Sequence, residues 1–169
     1  MPLGPGLHRF TEGTMPTLLV TDSGSYRVCH PLAAAAQHEA GHVIGALHFG
    51  LPLLEVYVRD DGSGKTEYAR RFGLADCVPW VITTYAGGAA EFDLFGDDQR
   101  ADCSDLLAIN NMLDRCKLDW DESRLAELRQ EAQWLVQRHR SRIKVIADAL
   151  IAREHMTAAD LNRLLATGV

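Results

Sequence analysis

Residues 32–50 read LAAAAQHEAGHVIGALHFG, apolar on nearly every side. A helix without a polar face is an inner helix, not a surface one. Pro31 suits its first turn and Gly50 stops it. VPWVITTYAGGAAEFDLFG (78–96) predicts a second buried helix, with a close-packing spot at Gly87 and Gly88. DCSDLLAINNMLDRCKL (102–118) predicts a third, whose inner face carries Asp105, Ile109, Met112 and Cys116. Residues 121–153 predict one long helix, with Leu125, Leu128, Leu135, Val136, Ile143, Ile146, Leu150 and Ile151 as its apolar stripe. TAAD (157–160) is a capping-box pattern opening a last helix over 158–166.

The strand signals are fewer. TLLVT (17–21) and YRVC (26–29) flank DSGS and predict a short hairpin. LLEVYV (53–58) puts Leu54, Val56 and Val58 on one face. RDDGSG then turns the chain, and KTEYA returns as a second strand. Residues 1–16 hold three prolines and three glycines and predict a flexible arm. No repeat or linker interrupts the rest. The expected architecture is mainly α (α+β), a single domain over 17–169 with a small sheet or hairpin beside the first helix.

Composition narrows this picture. A chain of 169 residues, 47% hydrophobic, is long enough to bury a core. A formal net charge of −6 argues against nucleic acid as the main partner. No run of eighteen apolar residues predicts a membrane span. MPLGPGLHRF has no apolar signal-peptide core, and Cys29, Cys77, Cys103 and Cys116 show no CxxC spacing. Both features point to a reduced, cytoplasmic setting.

The candidate chemistry lies in HEAGH (38–42). Helix positions i and i+4 share a face, so His38 and His42 can reach one zinc ion. Glu39, rotated by about 100°, can approach the open position of that metal and take a proton from water there. A lone buried histidine is most simply a hydrogen-bonded core residue. Two histidines and a glutamate on one apolar helix are costly unless something satisfies them together, and a metal does. The expected roles are therefore His38 and His42 as ligands and Glu39 as the catalytic base.

Catalytic zinc usually has three protein ligands and water. The glycine register of the longer HExxHxxGxxH motif is expected to be absent, so His48 is assigned to ordinary packing. The third ligand is sought on another helix, from Glu91, Asp102 and Asp105. Asp105 faces inward one turn along its helix. Equally, Asp102 can be the N-cap with Asp105 at the third position, both serving only the helix dipole. The residue pattern leaves that choice open. Glu91 can instead accept the second N–H of a metal-bound histidine.

HEAGH, YAGGAAEFDLFG and DCSDLLAIN, in that order, resemble the zinc peptidase domain of the FtsH family of ATP-dependent membrane proteases. The resemblance covers roughly residues 31–166 and includes MTAADLNRLL near the end. It implies that Asp105 is the third ligand and that Glu91 lies near the site without binding metal. It also implies that the segment over 59–66 is a strand and turn beside the cleft. Ala89 stands where the family has an arginine, so a local ion pair is expected to be missing. The family's ATPase module and membrane helices find no length in this chain.

RDDGSGKT (59–66) ends like a phosphate-binding loop, but Arg59 replaces its first glycine, and Asp60 and Asp61 would repel phosphate. A Gly-Ser turn is the simpler reading. The expected function is a zinc (Zn2+)-dependent endopeptidase acting on peptides or unfolded proteins without an ATPase of its own. The strand over 53–59 is expected to hold substrate by edge pairing. A separate ATPase in trans and a homo-oligomer are compatible with this reading. The alternative is a catalytically silent, zinc-stabilised regulatory or binding domain, which would have no need of Glu39.

Overall fold

Helix α1 (Pro31–Phe49) runs through the centre of the molecule, with every residue from Ala34 to Ala46 buried. The computed structural model describes residues 17–20, 26–29, 31–70, 72–96, 103–117 and 120–166, so the expected arm over 1–16 lies outside it. Strands β1 (Thr17–Val20) and β2 (Tyr26–Cys29) pair antiparallel, Thr17 opposite Cys29, as expected of a hairpin. Their connection over 21–25 lies outside the described residues.

After α1 come β3 (Leu53–Val58) and β4 (Gly64–Tyr68), and then a short 3-10 turn, Leu74–Asp76. Helices α2 (Cys77–Phe95) and α3 (Cys103–Cys116) follow. The chain continues through α4 (Glu122–Arg138), α5 (Arg140–Arg153), β5 (His155–Thr157) and α6 (Ala158–Ala166). The fold is mainly α with a small antiparallel sheet, as expected. Among the described residues no helix is long and apolar enough to cross a membrane.

The long helix expected over 121–153 is two helices. His139, at φ −111° and ψ 19°, breaks it, and its N–H reaches back to the carbonyls of Leu135 and Val136, both at 3.1 Å. The break has a packing reason: α4 lies mainly against α2, whereas α5 lies against α1. One straight helix cannot cover both. Arg140 Nε donates to Asp93 Oδ2 at 2.7 Å, tying the start of α5 to α2. The apolar stripe is otherwise as read. Leu128, Leu135, Val136, Ile143, Ile146 and Leu150 are buried, while Leu125 is half-buried and Ile151 exposed. Each of the larger of these contributes about 1.5–3 kcal/mol by leaving water.

The sheet differs from expectation in two ways. Its order is β4-β3-β5, so β3 is the middle strand and not an edge. Strand β5 pairs Tyr57 with His155, Val56 with Met156 and Glu55 with Thr157. It joins residues a hundred positions apart, which no local pattern announces. A register shift between Leu53 and Glu55 also turns Leu54 outward, leaving it 48% exposed while Val56 and Val58 are buried. The capping box before α6 is present. Thr157 N donates to Asp160 Oδ2 at 3.0 Å, and Asp160 N to Thr157 Oγ1 at 3.3 Å.

The inner face of α3 is the expected one, with Ile109, Met112 and Cys116 buried. Cys116 meets Cys77, a contact the sequence spacing did not suggest. Both are free thiols, and burial, with the neighbouring thiol, pushes Cys77 up to about 12.

Candidate metal centre

His38 and His42 stand one turn apart in the middle of α1, each 8% exposed. Their rings meet edge to face with centroids 4.7 Å apart. Helix α2 comes close enough for this because Gly87 has no side chain. A Cβ there would fall 2.4 Å from His42 Cε1 and 2.8 Å from His38 Nε2. Gly88, expected to share that packing role, faces open space.

Each ring is held by its far nitrogen. His42 Nδ1 lies 3.0 Å from the Thr83 carbonyl, and a carbonyl only accepts, so Nδ1 carries the proton. His38 Nδ1 lies 3.3 Å from Glu91 Oε2 and donates to it in the same way. Glu91 thus takes the supporting position the sequence reading offered it, oriented toward a histidine and not toward the cluster's centre.

The near nitrogens are then the reactive ones. His38 Nε2 lies 3.0 Å and His42 Nε2 3.3 Å from one oxygen, Oδ2 of Asp105. With Nδ1 protonated on both neutral rings, each Nε2 offers a lone pair. Two lone pairs therefore face a carboxylate, three acceptors with no donor among them. Only positive charge resolves this, either protons or a metal ion. In the metal-free chain protons do so. Burial alone would keep His38 neutral, but the Asp105 and Glu91 carboxylates outweigh it and push its pKa up to about 10. Burial likewise disfavours charge on His42, and Asp105 again overcomes it. Asp105 itself is held below the usual carboxylate range, because the two imidazoles outweigh its partial burial.

The donor set also fits a metal. One ligand atom from each of His38, His42 and Asp105 lies within 4.8 Å of the others. A tetrahedral ion with bonds of about 2.0–2.2 Å needs its donors roughly 3.3–3.6 Å apart, which small side-chain adjustments supply. Asp105 lies in the first turn of α3, as read, with its side chain 25% exposed. Asp102, the other candidate, lies outside the described residues.

Glu39 is 6% exposed and lines an open cleft with His38, His42, Asp105, Thr66 and Tyr68. Its Oε2 accepts a hydrogen bond from Thr66 Oγ1 at 2.8 Å. Sequence reading did not single out Thr66; its place two residues after Gly64, on the same face of the strand, was the only signal. The strand at the cleft is β4, an edge strand of the sheet among the described residues, where β3 was expected. Burial, reinforced by the charges of Glu39 and Asp105, raises the Tyr68 phenol and keeps it protonated.

His48 departs from expectation in sequence but not in place. Residues 38–48 read HEAGHVIGALH, which does contain the HExxHxxGxxH letters, with Gly45 and His48 in register. The structure nevertheless keeps His48 out of the site. Helix α1 continues through Gly45 to Phe49, so His48 lies about 15 Å along the axis from His38 and about 9 Å from His42. It is exposed, with its ring beside Phe49 and His139.

No protein-family model matches the chain, and no curated protein matches it.

Proposed function

We propose that this chain is a zinc-dependent endopeptidase of the kind found in the FtsH peptidase domain. The observation that carries the reading is the convergence of His38 Nε2, His42 Nε2 and Asp105 Oδ2 beside a buried carboxylate, Glu39. Two imidazoles and one carboxylate suit zinc, and differ from the all-oxygen sites that calcium and magnesium favour. The order of HEAGH, GGAAE and DCSDLL along the chain supports the same reading by resemblance.

His38, His42 and Asp105 would hold the ion, while Glu91 and the Thr83 carbonyl fix the two rings. Zinc, when bound, polarises the scissile carbonyl and lowers the pKa of water toward neutrality. Glu39 accepts the proton of the attacking water and delivers it to the leaving amine. Among the described residues β4 is an edge strand, and it lines the cleft, where an extended substrate can add as a further strand. That mode tolerates many sequences and suits peptides and unfolded proteins. Tightly folded substrates need prior unfolding, since their unfolded forms are scarcely populated.

The test is elemental analysis together with cleavage of casein or a peptide by wild type and Glu39→Gln. The expected outcome is about one zinc per chain in both, with turnover lower by about 10²-fold or more in the variant. A zinc-loaded wild type that cleaves nothing favours the alternative, a zinc-stabilised binding or regulatory domain.

A further inference from the structure

We propose that Thr66 is the positioning residue that fixes the carboxylate of Glu39 for proton transfer. The inference rests on the peptidase reading. Strand β4 faces α1 with Gly64, Thr66 and Tyr68, alternate residues of one strand, all lining the cleft. Gly64 lies against Glu39 so closely that a Cβ there would fall 2.7 Å from Glu39 Cγ and 2.8 Å from Oε1. Two residues on, the Thr66 hydroxyl donates to Oε2 at 2.8 Å. The carboxylate is thus held from one side by shape and at one oxygen by a directed bond.

A glutamate at the second position of a helical HExxH has three rotatable bonds, and nothing within the motif fixes the last of them. The strand supplies that constraint from 27 residues away. A hydroxyl donor serves both stages of the reaction. It donates to Oε2 while Glu39 is ionised, and still donates to it when Oε1 carries the proton. The bond therefore holds the carboxylate in place as the proton arrives and leaves, and Oε1 is the oxygen that carries it. A misplaced base loses rate steeply, because proton transfer requires hydrogen-bond reach. The Thr66 hydroxyl is hydrogen-bonded to Glu39, so it acts on rate through Glu39.

The experiment compares wild type, Thr66→Val, which keeps the shape without the hydroxyl, and Thr66→Ser, which keeps the hydroxyl. It measures zinc content and the kcat and KM of peptide cleavage in the full chain. Thr66→Val is expected to keep its zinc and KM and to lose about tenfold in kcat. Thr66→Ser is expected to recover most of that loss. A second measurement needs no catalysis: thermal unfolding of the chelator-treated protein as wild type, Thr66→Val, Glu39→Ala and the double variant. The two single shifts are expected to be non-additive, since the residues share one bond. Equal kcat in Thr66→Val and wild type, a Thr66→Ser variant as slow as Thr66→Val, or additive shifts overturns the proposal. A zinc-loaded wild type without any cleavage overturns the peptidase reading and this role together, whereas an active wild type indifferent to Thr66→Val overturns this role alone.

Discussion

Residues 38–42 and residues 62–66 both spell a ligand-binding motif, HEAGH for a metal and GSGKT for a phosphate. The fold treats them in opposite ways. HEAGH lies in the buried middle of α1, where α2 brings Glu91 and the Thr83 carbonyl, and α3 brings Asp105. Every polar atom of its two imidazoles meets a partner from another element. GSGKT forms a turn and the start of β4, with no helix after it to gather phosphate on its N-terminus. Lys65 points outward, its side chain 60% exposed and paired with Glu67 at 2.7 Å. The letters of a motif carry chemistry only where distant parts of the chain complete it. The contrast extends to Gly64 and Thr66 of GSGKT, which line the cleft of the first motif.

The largest expected effect tests whether HEAGH is completed from outside. Asp105→Ala removes the oxygen both histidines face and should strip zinc, weakening it by more than the loss of a supporting partner does. Glu91→Ala removes such a partner and should weaken zinc by about 10–100-fold. The measurement is competition with a chelator of known affinity. If Glu91→Ala releases the metal and Asp105→Ala does not, the roles assigned to the two carboxylates are reversed.

The first motif was legible because its helix is. An apolar surface all round places α1 at the centre, and the spacing of its histidines follows from the helical turn. Which carboxylate would meet them was not legible from the pattern. That depends on how closely α2 crosses α1, which Gly41, Gly45 and Gly87 decide together, and on where the first turn of α3 arrives. The resemblance supplied Asp105, and the coordinates bring Asp105 to the histidines. The break at His139 stayed hidden because QRHR (137–140) contains neither glycine nor proline and the apolar stripe resumes beyond it. Strand β5 stayed hidden because three residues carry no periodicity. Its absence from the sequence reading is why β3 was taken for an edge. The HExxHxxGxxH letters were passed over, and only the unbroken helix through Gly45 shows that His48 does not bend back to the site.

A smaller effect sharpens the electrostatic side of the comparison. In the metal-free chain His38, with its pKa pushed up to about 10, holds a proton at neutral pH. Zinc must displace that proton, so binding releases protons, and acidification favours the metal-free form. Zinc affinity should therefore fall by about tenfold for each pH unit lowered from about pH 10 downward, and more steeply where His42 also gives up a proton. Calorimetric titration in buffers of different ionisation enthalpy measures the proton release directly. Binding with no proton release would mean that the histidines are neutral before the metal arrives.

The smallest effect is expected at the second motif. A phosphate loop uses its lysine to reach the phosphates, and it opens a helix whose N-terminal N–H groups cradle them. Here Lys65 stands on a strand, its ammonium is turned to solvent and shared with Glu67, and Asp60 and Asp61 precede it. Lys65→Ala removes only an exposed ion pair, worth about 0–1 kcal/mol. It should change neither zinc content nor the cleavage of an unfolded substrate. ATP should leave that cleavage unchanged in wild type and variant alike. Tightly folded substrates should resist the isolated chain, because their unfolded forms are populated only as far as stabilities of about 5–15 kcal/mol allow. The measurement is cleavage of one substrate in a folded and a destabilised version, with and without ATP, by wild type and Lys65→Ala. ATP-stimulated cleavage by the purified chain, abolished in Lys65→Ala, would make the second motif functional and remove the contrast between the two.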